Sequence, residues 1–380
     1  MRLIRIFAVI ASTITLMISP AFATEAIRIG AILSVTGPAS NLGAPEAKTL
    51  EMLVNDLNVK GGIAGKKVEL IVKDSGGSPE KAISFAKQLI EEEKVFAIIG
   101  PSTSGETMAI KNIAEEGKTI LISCAAAEVI VNPVAKYVFK VAPKDSFAAL
   151  RIFQQMKKMH ISKIGVLSSN TGFGKAGKEQ LEKLAPEQGC QILISEVYDK
   201  SATDLTAEVT KLKAKGIQAI VNWSIEPAQS IVIKNARQVG LTVPIFQSHG
   251  FANIQYVKAA GIAAEGVIFP ASRIMVADML PERNLQKPVV MAYKNAYESK
   301  YHEDVSTFGG HTYDAFMILA RAIREAGYDR EKVRTSLENT KEFPGTAGVF
   351  NFSPEDHNGL TIDAFAMLTV KDGKFVLLEK

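Results

Sequence analysis

Thiols are scarce in this chain: Cys124 and Cys190 are the only two cysteines among 380 residues. That excludes a disulfide-dense scaffold and a thiolate metal cluster. The pair reads as two separate, strand-associated thiols, although a bridge stays open in an oxidising compartment. An excess of one charge is lacking as well. The 44 basic residues face 40 acidic ones, interspersed and without a basic block, which removes nucleic acid and acidic membranes as partners. Catalytic signatures are missing too: there is no H-E-x-x-H, no G-x-S-x-G and no close pair of Cys or His. The five histidines, His160, His249, His302, His311 and His357, are scattered along the chain. His302-Glu303-Asp304 could suggest a metal, but adjacent residues point apart on a helix, so a solvated helix end is expected. No metal, no cofactor and no enzymatic activity are expected.

A long apolar run occurs only at the start. Arg2 and Arg5 precede an apolar stretch from Ile6 to Ile18, and Pro20-Ala21-Phe22-Ala23 supplies a small-x-small cleavage site. This is the pattern of a cleaved secretory signal peptide over residues 1–23. With no cysteine after the cleavage site, a lipid anchor is not expected. Thr24 onward should be an exported, periplasmic protein, because no later stretch approaches the roughly 18 apolar residues of a membrane span.

The exported chain is too long for one ordinary core and predicts two domains. Short β-branched runs alternate with helical patterns. Strands are expected at 27–33, 67–73, 95–100 and 119–123, with helices near 43–59, 79–92 and 105–116. A second block repeats the order, with strands at 163–167, 191–197, 218–222 and 244–247. Such βαβα order predicts an α/β fold of two parallel sheets with covered faces, hence two lobes. The late helical region, 286–340, needs a sheet to cover, so the chain should return to the first lobe near Arg273. It should cross once more near Gly348–Phe352. The expected lobes are 24–142 with 273–348, and 143–272 with 349–380, joined by a three-crossing hinge beside a cleft.

Ligands of open parallel sheets bind beyond the carboxyl ends of the strands, where helix N-termini present unpaired N–H groups. "IIGPSTSGET" (98–107) sits at such a place. It resembles a phosphate loop, but Glu106 stands where Lys would neutralise phosphate. Ser102, Thr103, Ser104 and Thr107 offer hydroxyls suited to a monoanionic carboxylate, and plain N-capping by Ser104 is the competing reading. "ISCAAAEVIV" (122–131) brings small residues to the next strand end, for close backbone approach or simply for tight packing. "GFGKAG" (172–177) matches a dinucleotide fingerprint but starts too far beyond its strand, and reads as a loop presenting Phe173 with glycine-mediated helix packing. His249, in "IFQSHGF", and Trp223, in "IVNWSIEP", also stand at strand ends. They are either site walls or, respectively, an exposed loop residue and a core filler.

The ordered set "IRIGAILSVTGPASNLG", "VNDLNVKGGIAGKKVELIVKDSGGSPEKA", "FAIIGPSTS", "TDLTAEVTKLKAKGIQAIV", "ARQVGL" and "HTYDAFMILARAI" resembles the periplasmic solute-binding proteins of the branched-chain amino acid type. These receptors serve ATP-driven (ABC) importers. The resemblance covers essentially the whole mature chain. It implies the type I periplasmic binding fold, two Rossmann-like lobes on a three-crossing hinge, acting as a monomer with a membrane permease as partner. It also implies that Ser104 holds a ligand carboxylate with the backbone of Ala125 and Ala127, beneath Phe173 and beside Phe308. Three positions depart from the pattern. Ala127 replaces a carboxylate-binding Thr, Ile225 replaces an aromatic with Trp223 two residues earlier, and His249 replaces the acid that pairs with an ammonium. The departures imply a small organic carboxylate without an ammonium, an aromatic acid favoured. The alternatives are a branched-chain or hydrophobic amino acid, with Glu226 as substitute acid, and a ligand sensor for a signalling receptor.

Overall fold

The alternating pattern builds two parallel sheets, each flanked by helices on both faces. A computed structural model describes residues 26–378; the expected signal peptide lies outside the described residues. In the first sheet β1 (Ile27–Leu33), β2 (Val68–Asp74), β3 (Ala97–Ile99), β4 (Ile120–Ser123) and β5 (Val138–Lys140) stand in the order β2-β1-β3-β4-β5, all parallel. The second contains β6 (Lys163–Ser169), β7 (Gln191–Tyr198), β8 (Ala219–Trp223), β9 (Ile245–Gln247) and β10 (Ile268–Ser272). A short hairpin, β11 (Phe343–Pro344) and β12 (Val349–Phe350), precedes two more strands, β13 (Phe365–Lys371) and β14 (Lys374–Leu377). These last two add antiparallel to the edge, giving β14-β13-β10-β9-β8-β6-β7.

The connecting helices are α1 (Ser40–Val59), α2 (Pro79–Lys87), α3 (Ser104–Glu116), α4 (Asp145–Lys158), α5 (Gly172–Leu184), α6 (Thr206–Ala214), α7 (Ala228–Gln238) and α8 (Ile254–Ala260). The late region holds three more, α9 (Lys287–Tyr301), α10 (Thr307–Ala326) and α11 (Arg330–Glu338). α10 and α11 pack on the first sheet, and α9 packs beside Met52 of α1. Along β1, Ile27, Ile29, Ala31 and Leu33 pack with Phe316, Leu319 and Ile323 of α10, while Ile32 faces the opposite core under α2 and α3. Period-two alternation with both faces apolar is what a covered parallel strand requires.

Both sheets reverse strand order beside their first strand, between β1 and β3 and between β6 and β8. Crevices open at these switch points, beyond the carboxyl ends of the strands. They face each other across the lobes.

The hinge differs from expectation in one respect. Passages occur after β5 and after β10, but the third lies at Ala364–Phe365, not near Gly348–Phe352. Residues 349–364 stay on the first lobe because Phe350, Phe352 and Leu360 complete its core. The His357 ring stacks on Phe139 at 4.0 Å. Asn358 Nδ2 donates to the carbonyls of Lys140 (3.2 Å) and Ala142 (2.9 Å), and the Lys140 N–H donates to the His357 carbonyl at 3.0 Å. The segment thus closes the exposed edge of β5. That strand, three residues long, reads in the sequence only as a junction. Cys124 and Cys190 lie in different lobes, free and buried.

Removing the Phe352 ring leaves a cavity in the first core. Phe352→Ala should cost about 3–5 kcal/mol in urea unfolding; a loss below about 1 kcal/mol would mean that the strap contributes little.

Candidate functional site

The turn after β3 is ordered by a reciprocal Thr103–Glu106 cap at the start of α3. Thr103 caps α3: its Oγ1 accepts from the Glu106 N–H at 3.4 Å and donates to Glu106 Oε2 at 2.6 Å. Ser34 Oγ donates to the same carboxylate oxygen at 2.9 Å. Glu106 therefore holds the loop from inside, where a phosphate loop would carry its cation. Ser102 is also committed, donating to Glu46 and accepting from the Ser34 N–H at 3.0 Å. Burial is the main cause that raises the Glu46 carboxyl to about 8, opposed by the Ser102 hydrogen bond and aided by the Glu106 charge. Glu46 is thus protonated at neutral pH. Ser104, the first residue of α3, accepts from the Ala127 N–H at 3.2 Å. No acceptor for its own hydrogen is found among the described residues, so it is the hydroxyl of this turn left to donate elsewhere.

A cavity of about 20 Å³ lies between the lobes in front of Ser104. Ser102, Ala125, Ala126, Phe308 and His311 bound it from the first lobe, and Phe173, Ile225 and His249 from the second. Towards solvent, Phe173 and Ile225 also line an interlobe mouth of about 180 Å³, together with Thr103, Gly105, Lys200 and Glu226. The lobes touch at Gly105 and Gly172, where a Cβ on Gly172 would come within 2.7 Å of the Gly105 Cα. Asn253 Nδ2 donates across the gap to the Asn41 carbonyl at 2.9 Å.

The expected site residues divide into three groups. Ser102, Ser104, Ala125, Phe173, His249 and Phe308 border the inner cavity. Thr103 lines the mouth and spends its hydroxyl on the cap. Ala127 and Trp223 stand behind the wall. The Ala125 N–H donates to Ser123 Oγ at 3.1 Å and the Ala127 N–H to Ser104, so neither points free into the cavity. Trp223 is fully buried behind Phe173 (5.8 Å between rings) and His249 (5.7 Å), against Gly177 of α5. The indole is a second layer rather than a wall. The glycines of "GFGKAG" serve this packing: a Cβ at Gly177 would meet the indole at 2.1 Å.

His311 was not singled out by its sequence. It follows Phe308 by one turn of α10, which brings it to the same cavity. His249 and His311, one from each lobe, are both buried, and none of their ring nitrogens makes a well-formed hydrogen bond among the described residues, although the Cys124 backbone lies near His311 and slightly favours its protonated form. Burial, then the charge of Lys140, drives both towards the neutral form: His249 falls well below the usual range and His311 to about 3. Lys140, at the end of β5, is itself fully buried and donates to the carbonyl of Ala126 at 2.6 Å. No carboxylate borders the inner cavity. Glu226 lies at the mouth, its Oε2 accepting from Ser224 Oγ at 2.7 Å and from the Ile225 N–H at 3.2 Å. His302 ends α9 in a left-handed conformation, and Glu303 and Asp304 pair with Lys48 and Lys258 on the surface.

A family described as periplasmic binding protein matches residues 26–374 of the chain. The chain belongs to that family. Among curated relatives of this periplasmic binding protein, a leucine-, isoleucine-, valine-, threonine- and alanine-binding protein of Pseudomonas aeruginosa is 26% identical over 90% of each chain. Among solved structures, an extracellular ligand-binding receptor from Rhodopseudomonas palustris HaA2 superposes with a TM-score of 0.88 at 29% identity, covering 93% of this chain and 100% of that one. The branched-chain amino acid transporter substrate-binding protein LivJ of Streptococcus pneumoniae, in complex with isoleucine, gives 0.82 at 28% identity over 92% and 98%. Periplasmic binding proteins are solute-binding proteins rather than enzymes, in keeping with the absence of catalytic signatures from the sequence. Among the described residues, no helix is long and apolar enough to cross a membrane.

The two imidazoles make a pH prediction for this periplasmic binding protein. Unfolded, both titrate near 6.5; folded, both stay neutral to far lower pH. Between those limits the unfolded chain binds more protons, so their contribution to stability is complete above about pH 6.5 and is lost as the pH falls towards 3. The slope reaches about 1.4 kcal/mol per pH unit for each histidine. In thermal melts from pH 7 to 4, His311→Gln should lose stability less steeply than wild type; parallel curves would refute this.

Proposed function

We propose that the protein is an extracytoplasmic receptor that captures a small organic carboxylate between its lobes and delivers it to the permease of an ABC importer. The observation that carries this reading is the make-up of the inner cavity: a hydroxyl with a hydrogen to donate, two neutral imidazoles, flat apolar walls and no acid. A carboxylate finds donors there. An ammonium finds no countercharge, and an unpaired charge in a closed cleft costs roughly 3–5 kcal/mol. Phe173 and Phe308 favour an aromatic or similarly flat body. The cavity has room for little more than a water-sized group, so the lobes must part to admit an acid. Closing again lets one ligand touch both lobes, and that differential contact is the source of the driving force.

A second reading, a branched-chain or hydrophobic amino acid, draws on what the relatives are named for. It would require the ammonium to reach Glu226 at the mouth, past Ile225.

A thermal-shift panel of aliphatic amino acids against benzoate-like and 2-oxo acids separates the two readings; stabilisation by leucine or isoleucine alone would overturn the first. Ser104→Ala should weaken binding of the best acid by about 1.5–3 kcal/mol, the worth of a hydrogen bond to a charged group, and unchanged calorimetric affinity would dismiss the clamp. His249→Glu should turn the preference towards amino acids over their deaminated analogues. If that ranking does not move, position 249 does not set the choice.

A further inference from the structure

The ring nitrogens of His249 and His311 lie buried beside the same small cavity that Ser104 borders, and none makes a well-formed protein hydrogen bond, the nearest contact being the Cys124 backbone at His311. Each neutral imidazole brings one N–H donor and one acceptor. A lone carboxylate could accept from the Ser104 hydroxyl and from the imidazole N–H groups, but it has no hydrogen to give their acceptor nitrogens. The cavity is also small: about 20 Å³ is shared by the hydroxyl of one lobe's turn and an imidazole from each lobe. Ligand atoms held by these three side chains must therefore be near neighbours on one carbon skeleton. A second polar group at the far end of an aromatic ring would not satisfy that geometry.

We infer that the ligand carries an oxygen on the carbon next to its carboxylate, as a 2-oxo or 2-hydroxy acid, and that His249 and His311 hold this oxygen from opposite lobes. This rests on the carboxylate reading above and makes it specific. A carbonyl oxygen accepts from both imidazoles, and a hydroxyl accepts from one while donating to the other. An ammonium in the same place could donate to the acceptor nitrogens but brings a charge that no carboxylate of the cavity wall meets. The apolar remainder of the acid would lie towards Phe173 and Phe308. Because one imidazole comes from each lobe, the ligand oxygen becomes a bridge that exists only when the lobes are closed.

The test uses four compounds with one skeleton and different substituents at the second carbon: phenylpyruvate, phenyllactate, 3-phenylpropionate and phenylalanine. Calorimetry on the wild-type protein should find the first two bound at least about tenfold more tightly than 3-phenylpropionate, with phenylalanine weakest. His311→Leu should erase the advantage of the oxygenated acids while holding 3-phenylpropionate within a few-fold of wild type, and His311→Gln, which keeps a donor, should restore part of it. A thermal melt of each variant checks that it folds. If 3-phenylpropionate binds as tightly as phenylpyruvate, or if His311→Leu keeps the preference, the inference is overturned while the carboxylate reading stands. If phenylalanine binds best, or no acid binds, both fall.

Discussion

Closing two lobes over polar groups that lack partners is the constraint that organises this protein. An unsatisfied buried donor or acceptor costs about 1–3 kcal/mol. His249 and His311 bring such groups to the interlobe surface from both sides. The same closure buries apolar contacts between the lobes and brings Gly172 onto Gly105, so the two contributions oppose each other. A ligand able to satisfy the imidazoles removes the unfavourable one. Coupling between binding and closure thus needs no dedicated switch, because it is a property of which groups face the gap.

The fold makes this arrangement possible by placing two strand-order reversals opposite each other. Each reversal opens a crevice at the carboxyl ends of its strands, and each crevice is edged by a helix that begins with a hydroxyl cap, Thr103 on α3 and Thr171 on α5. The caps consume the hydroxyls nearest the helix axis. What remains for a ligand comes from the next residues along: Ser104 after the first cap, and Phe173 two residues after the second. The first passage between lobes, from β5 into α4, carries the buried Lys140 and Asp145. Burial pushes the ammonium of one down and the carboxyl of the other up in proton affinity, and each charge opposes that shift in its neighbour.

Much of this was legible in the sequence, because covered parallel strands announce themselves as β-branched runs of fixed order. Every expected strand of the first two blocks lies within a few residues of its observed position. The site was legible where a residue's place followed from a strand end, as for Ser104, Phe173 and His249. It failed where place depends on packing depth. Trp223 stands at a strand end like the others, yet the small Gly177 lets its ring sink behind the wall. Thr103 and Glu106 spell a capping box, but nothing local says which of several hydroxyls in a row takes the cap. His311 belongs to a helix whose start faces the cleft, and its meeting with His249 joins residues 62 positions apart on separate lobes. The strap 349–364 misled because its alternating aromatics look like an edge strand of either lobe; only the exposed flank of β5, too short to be read, decides the matter.

Membership in the periplasmic binding protein family leaves the ligand to be argued from charge. At 26% and 29% identity to the relatives named, the scaffold is shared while the lining is free to differ. The positive end of α3 faces the cavity, but Glu106 inside its first turn offsets much of that partial charge. Glu46, the other acid beside the loop, is neutral at physiological pH, and both cavity histidines are neutral as well. What is left is the uncompensated part of one helix end and the buried Lys140 behind the wall, itself partly balanced by Asp145. Such a site suits one negative charge. A phosphate would bring close to two, with no arginine or lysine on the inner cavity wall to meet them, and a zwitterion would bring a cation for which that wall holds no carboxylate. This balance supports the proposed monoanionic acid as the species for which closing the cleft is electrostatically least costly.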